Sequence, residues 1–224
     1  MTATDDTKHA TGTLPRIWYT RIMTDIDAGV EVDTVFSQPS LKDTVRFGKH
    51  YEAWEIDPGG NEPRFLKFRN GETKIKPTLL DAFRQFALTI SPILRDVLVQ
   101  FDLGSTRLFE VPIYEEDGET LSSFSPYYVL HVTETKPTLI PEASKNIERP
   151  NLLNLPEVDL KTRWMYTLHP DELAVKATSG TGVDLWADKV LFGRLFFSDR
   201  LKRAIDAADI QSTALTFVQA RTLP

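Results

Sequence analysis

Phe86-Ala87-Leu88-Thr89-Ile90-Ser91-Pro92-Ile93-Leu94-Arg95-Asp96-Val97-Leu98-Val99-Gln100-Phe101 is the stretch that decides the fold. Its apolar opening, Phe86 to Ile90, is too short for a helix and reads as a strand. Ser91 then stands where a helix N-cap belongs, with Pro92 at the first helical position. The serine hydroxyl can take an orphan N–H there, and proline has no N–H to lose. Leu94, Val97, Leu98 and Phe101 fall at i, i+3, i+4 and i+7 and make one apolar stripe. A strand running directly into a short helix is predicted, closed by Gly104, with Leu108 to Tyr114 resuming as a strand.

The same pattern recurs at the C-terminus. Leu195 to Phe197 meets Ser198 as N-cap, and Leu201, Ala204, Ile205 and Ala208 repeat the stripe. Aligning Ser91–Val111 with Ser198–Val218 gives seven identities in 21 positions, including Leu94/Leu201, Asp102/Asp209 and Ser105/Ser212. Two related strand-helix-strand units are therefore predicted, at about 86–114 and 193–220. A helix of about ten residues covers only about 15 Å, so strands must supply most of the core. The fold class expected is α+β, with short helices on mainly antiparallel sheets.

Working outward, strands are predicted at Ile17-Trp18-Tyr19, Val30 to Phe36, Tyr51 to Ile56, Phe65 to Phe68, Arg163 to Leu168 and Leu173 to Ala177. Turn signals stand at Asp57-Pro58-Gly59-Gly60-Asn61 and Asn70-Gly71. The acidic turn Glu115-Glu116-Asp117-Gly118-Glu119 opens a hairpin that returns through Pro126 to Val132. Residues 134–160 are interrupted by Pro137, Pro141, Pro150 and Pro156 and read as a linker loop. The expected organisation is a flexible tail over 1–14, a β-rich half over 15–133 with the first unit, the linker, and a second half over 161–224, with one continuous domain as the alternative.

The chain has 224 residues, 41% of them hydrophobic, enough for a sizeable core. Its formal charge of −6 repels phosphate backbones and anionic membranes, so neither nucleic acid nor membrane is expected as a partner, and a basic protein suits it. The absence of cysteine rules out disulfides and thiolate chemistry and fits a reducing compartment. The N-terminal MTATDDTKHATGTLP lacks the basic and apolar regions of a secretory signal, and no apolar run approaches the roughly 20 residues of a transmembrane helix. A cytoplasmic location is expected.

Chemistry-bearing patterns are sparse. His9, His50, His131 and His169 show no metal-ligand spacing, and His131 lies in an apolar strand. No metal or cofactor is expected. Ser91 and Ser198 are explained as helix caps rather than nucleophiles, and no G-x-S-x-G is present. Ser179-Gly180-Thr181-Gly182 superficially resembles a phosphate loop but lacks the Gly-Lys-Ser/Thr ending and reads as a turn. Paired carboxylates at Asp171-Glu172 and in the acidic turn lack an apolar pocket that would raise a general acid's pKa. Glu115, Glu116 and Asp117 are either a solvated tip or a charged loop that steers a basic partner. Trp186, between Asp184 and Asp188 in a loop-like stretch, is either a core side chain or the aromatic anchor of an interface.

Asp184-Leu185-Trp186-Ala187-Asp188 through Leu195-Phe196-Phe197-Ser198-Asp199-Arg200-Leu201-Lys202 resembles the C-terminal signature of the Imm11 family of bacterial immunity proteins. Leu88-Thr89-Ile90-Ser91 through Phe109-Glu110-Val111-Pro112-Ile113 resembles that family's earlier strand, helix and strand, followed by a tyrosine-rich hairpin. Together these span roughly residues 75 to 220. The chain departs from the pattern at Asp209-Ile210-Gln211-Ser212-Thr213, which has no glycine, and at Glu110-Val111-Pro112, which replaces Pro-Val. The resemblance implies a non-catalytic protein that binds and neutralises a cognate toxin of a bacterial polymorphic toxin system. Glu115, Glu116, Asp117, Asp184, Trp186 and Asp188 are the partner-binding candidates, and a homodimer is compatible. The competing expectations are a hydrolase-like enzyme with a dispersed site and a self-associating structural module.

Overall fold

A computed structural model describes residues 13–21, 32–36, 63–68, 81–84, 87–145, 147–148, 165–166, 172–191, 193–210, 212 and 214–224. The expected strand Tyr51–Ile56, the turns at Asp57–Asn61 and Asn70-Gly71, and Trp54, Trp164, His9, His50, His169 and Asp171 lie outside the described residues. So do most of the expected tail and the linker beyond residue 148.

Fifteen strands and two α-helices are described. In chain order they are β1 (Ile17–Arg21), β2 (Val32–Phe36), β3 (Pro63–Phe68), β4 (Ala82–Arg84), β5 (Leu88–Ile90), α1 (Pro92–Leu98), β6 (Arg107–Val111), β7 (Ile113–Tyr114) and β8 (Tyr127–His131). There follow β9 (Ile147–Glu148), β10 (Met165–Tyr166), β11 (Ala174–Lys176), β12 (Leu185–Ala187), β13 (Arg194–Ser198), α2 (Asp199–Ala207), β14 (Phe217–Gln219) and β15 (Arg221–Leu223). The expected α+β class holds. Among the described residues, only β3 with β7 and β11 with β15 pair in parallel.

Both predicted helices start where their serines put them. Ser91 Oγ accepts the N–H of Leu94 and Ser198 Oγ accepts that of Leu201, each at 3.2 Å. Each helix buries one stripe, Leu94 and Leu98 on α1, Leu201 and Ile205 on α2. Because α1 ends at Leu98, Phe101 lies beyond it rather than on its stripe, and Gly104, at φ +57°, forms the turn that follows. Pro112 splits the strand expected at Leu108–Tyr114. Val111 ends β6 on one sheet, and Ile113 starts β7 beside β3 on another.

Two four-stranded sheets have the same architecture. One runs β4-β5-β8-β6 and the other β12-β13-β1-β14, all neighbours antiparallel. In each, a short edge strand pairs with the strand that feeds the helix, a middle strand comes next, and the strand after the helix closes the other edge. The register makes the correspondence residue by residue: Ile90 opposes Tyr128 as Phe197 opposes Trp18. Tyr128 then faces Glu110, and Trp18 faces Gln219. The sequence alignment therefore holds through the helices and slips by two residues in the closing strand, so that Val111 and Val218 are not equivalent in space.

The middle strands come from opposite directions along the chain. In the first sheet β8 follows β6, whereas in the second β1 is drawn from the N-terminal end and inserted between β13 and β14. A single apolar cluster joins Val32, Phe83, Leu94 and Val129 to Leu185, Phe197, Leu201 and Ile205, so the main core draws on both sides of the expected boundary. The stretch 134–145 is packed into the second half. Lys136 N–H bonds to Ala187 O, Ile140 N–H to Ala174 O, and Thr135 and Leu139 form bridges to Ala187 and Val175.

The two units clasp each other reciprocally. After α1 the chain reaches into the second unit, where Asp102 N–H donates to the Asp184 carboxylate and Asp184 N–H donates to Asp102 O at 2.7 Å. After α2 it reaches into the first, where Ser212 Oγ donates to Ala82 O at 2.9 Å.

Candidate functional site

The acidic turn is a built structure. Glu115 N–H bonds to Thr120 O at 2.8 Å and Gly118 N–H to Glu115 O at 2.9 Å, while Tyr114 and Leu121 close the base as a β-bridge. Asp117 folds back on the turn it belongs to. Its carboxylate accepts the N–H groups of Glu119 and Thr120, both at 2.8 Å, and the Thr120 hydroxyl at 2.5 Å. These bonds, the Thr120 hydroxyl first, hold the carboxyl below its ordinary range, helped by Lys67. Gly118 takes φ +74°, a backbone conformation that suits glycine. Glu116 and Glu119 are exposed on the turn, and Leu121, at its base, is 57% exposed. Exposed carboxylates and an exposed apolar side chain on one ordered turn are suited to contact a surface carrying both a cation and an apolar patch.

The second set of expected contact residues lies elsewhere. Asp184 and Trp186 have no exposed surface and Asp188 is 2% exposed, so none of the three can meet a partner at the surface. The stretch read as loop-like is strand β12 at the edge of the second sheet. Trp186 stacks on Phe196 at 5.9 Å with an interplanar angle of 13°, and its Nε1–H donates to the Thr138 hydroxyl at 2.8 Å. Of its flanking acids, Asp188 is dedicated to backbone. Asp188 Oδ2 accepts the N–H groups of Thr138 and Leu139, both at 2.7 Å, and Oδ1 accepts that of Val190.

Asp184 gathers four hydrogen bonds from three residues. Its carboxylate accepts the Ser198 hydroxyl at 2.5 Å, Arg200 Nε at 2.5 Å, Arg200 Nη2 at 2.6 Å and the Asp102 N–H at 3.0 Å. Burial alone would raise its pKa; the guanidinium fork, the hydroxyl and the amide outweigh burial and hold it below the ordinary range. The Ser198 hydroxyl thus gives its proton to Asp184 and accepts from Leu201 N–H, which leaves its oxygen committed to the cap. The first unit repeats the device. Ser91 Oγ donates to Asp81 at 2.6 Å, and Ser91 N–H to Asp81 O at 2.8 Å. A cation also lies over the middle-strand aromatic in each unit, Arg95 over Tyr128 at 4.8 Å and Lys202 over Trp18 at 4.5 Å. These matched pairs mark both serines as parts of the scaffold.

His131 is buried on β8 against the Phe109 ring. Beside the C-terminal end of α2 a cavity of about 220 Å³ is lined by Ile205, Asp209, Ile210 and Phe217, below the roughly 300 Å³ at which small-molecule pockets begin. No group of three or more histidine, aspartate or glutamate side chains suited to a metal ion occurs among the described residues. None of the described helices is long and apolar enough to cross a membrane. No protein-family model matches the sequence, and no curated protein matches it.

Proposed function

We propose that this chain is a non-catalytic inhibitor of the immunity type, which binds a basic toxin domain and occludes it. The observation that carries the reading is the acidic turn, whose backbone is ordered by Asp117 and which exposes Glu116 and Glu119 two to five residues before the 57% exposed Leu121. A turn ordered before contact loses little conformational entropy on binding, and its charge steers a cationic partner. The formal charge of −6 acts in the same direction at longer range. The Imm11-like stretches support a cognate bacterial toxin as the class of partner.

The test is co-expression with the toxin encoded beside this chain, scored by growth rescue and by recovery of a stable complex. Rescue by the wild-type chain that is lost in Glu116→Lys with Leu121→Asp, with the variant still folded, is the expected outcome. Growth arrest unrelieved by the wild-type chain would defeat the proposal.

A further inference from the structure

Ser179-Gly180-Thr181-Gly182 has the composition of a phosphate loop, but the structure gives it the opposite polarity. The carbonyl oxygens of three alternate residues, Ser179, Thr181 and Val183, converge on the Lys136 ammonium at 3.0, 2.8 and 3.1 Å. An ammonium has three N–H donors, and here each has one carbonyl acceptor. The Trp186 ring lies against the same ammonium, its centroid 4.0 Å from Nζ.

The loop is shaped for this. Ala177–Gly180 forms a 3-10 turn, and Gly182 at φ +79° reverses the chain between Thr181 and Val183. Gly180 packs on the N-terminal strand, where an added Cβ would come within 3.0 Å of Pro15. Ser179 is buried, so its carbonyl has limited access to water and needs a protein partner. Burial pushes the Lys136 ammonium below the usual lysine range, and the carboxylates of Glu134, Asp184 and Asp102 oppose that loss without cancelling it.

We propose that residues 179–183, roofed by Trp186, form a binding site for a monovalent ammonium-type cation, and that Lys136 is its tethered resident ligand. The lysine docks the segment 134–139 onto the second unit as a bound ligand would. Cutting the tether should therefore leave a site that takes the same chemistry from solution. Lys136→Ala removes three carbons and the ammonium, the equivalent of n-propylammonium.

The experiment follows thermal unfolding of the full-length Lys136→Ala variant in n-propylammonium chloride. Choline chloride at equal ionic strength and 1-propanol at equal concentration serve as controls. The expected result is a lowered Tm that n-propylammonium raises saturably by several degrees, with no comparable rise from either control and none in the wild-type chain. Absence of a saturable rise, or an equal rise in the wild type, overturns the proposal. Should the variant not fold, the wild-type chain decides. Its lysine ammonium resonances in a 15N-edited spectrum should include one group protected from exchange, as three carbonyl partners require, and absence of a protected ammonium overturns the assignment.

Discussion

Arg200 closes a two-pronged fork on Asp184, Nε to Oδ1 at 2.5 Å and Nη2 to Oδ2 at 2.6 Å. The two ends of the pair differ in burial: the Asp184 side chain is 1% exposed and that of Arg200 is 62% exposed. Removing the arginine deletes a side chain that lies mostly in water and leaves the carboxylate with the Ser198 hydroxyl and the Asp102 amide, so Arg200→Ala should be the milder loss. Asp184→Asn disturbs the N-cap of α2, the fork and the clasp from Asp102 together, and should cost about 2–3 kcal/mol. Urea unfolding of both variants checks the order, and equal losses would mean that Asp184 is held by Arg200 alone.

The same carboxylate makes stability depend on acid. Its folded-state pKa lies below its unfolded one, so its contribution is fully present above about pH 4, where the unfolded carboxylate is ionised, and is lost as pH falls through the folded value. Urea midpoints measured from pH 6 downward should show Asp184→Asn converging on the wild type below about pH 4. A gap that stays constant into acid would assign the loss to packing instead of charge.

What was legible in the sequence was local. A serine before proline or aspartate and an i, i+3, i+4 stripe located both helices, because capping and amphipathicity act within one turn. The insertion of β1 between β13 and β14 was not legible, since a strand's sheet neighbours are set by contacts nearly two hundred residues away, such as Ile17 with Ser198. Asp184 and Asp188 misled in a specific way. An aspartate on a strand edge looks solvated in sequence, yet here both are buried because backbone amides and a guanidinium satisfy them. Asp81-Ala82-Phe83 ahead of Ser91 corresponds in the sheets to Asp184-Leu185-Trp186 ahead of Ser198, but Asp81 precedes its serine by 10 residues and Asp184 by 14, so an ungapped alignment does not pair them. The acidic turn was read correctly as a turn, but the exposed Leu121 beside it carried no pattern of its own.

The two caps should be unequal. Ser91→Ala and Ser198→Ala each remove one amide acceptor, about 1 kcal/mol. Ser198→Ala also removes a donor from the wholly buried Asp184, whereas Asp81, the partner of Ser91, is only half-buried. Ser198→Ala should therefore be the more destabilising by chemical unfolding, and any activity of the purified chain should survive in both. Loss of a measurable turnover with the fold intact would defeat the capping role.

At the acidic turn, order and charge separate experimentally. Asp117→Ala removes the acceptor of the Glu119 and Thr120 amides, so their hydrogen exchange should quicken while the rest of the chain is unchanged. Glu116→Lys with Glu119→Lys leaves those bonds in place and reverses charge alone. Under the immunity reading, association with the toxin should slow about tenfold at low salt, with the difference shrinking as salt rises. A change confined to the dissociation rate would argue against steering by this turn.

Trp186 supplies the sharpest division between scaffold and surface. With no exposed area, its ring on Phe196 and its indole N–H on Thr138, it belongs to the smaller core formed with Ile17, Tyr19 and Leu173. Trp186→Ala should cost about 3–5 kcal/mol, because the cavity left behind adds to the lost burial. Trp186→Phe keeps most of the apolar contact and gives up the Thr138 bond and the larger ring over Lys136, so it should cost distinctly less. Equilibrium unfolding followed by far-ultraviolet circular dichroism measures both without relying on the deleted fluorophore. A Trp186→Ala chain of unchanged stability that had lost toxin binding would return this residue to the surface and reverse its assignment.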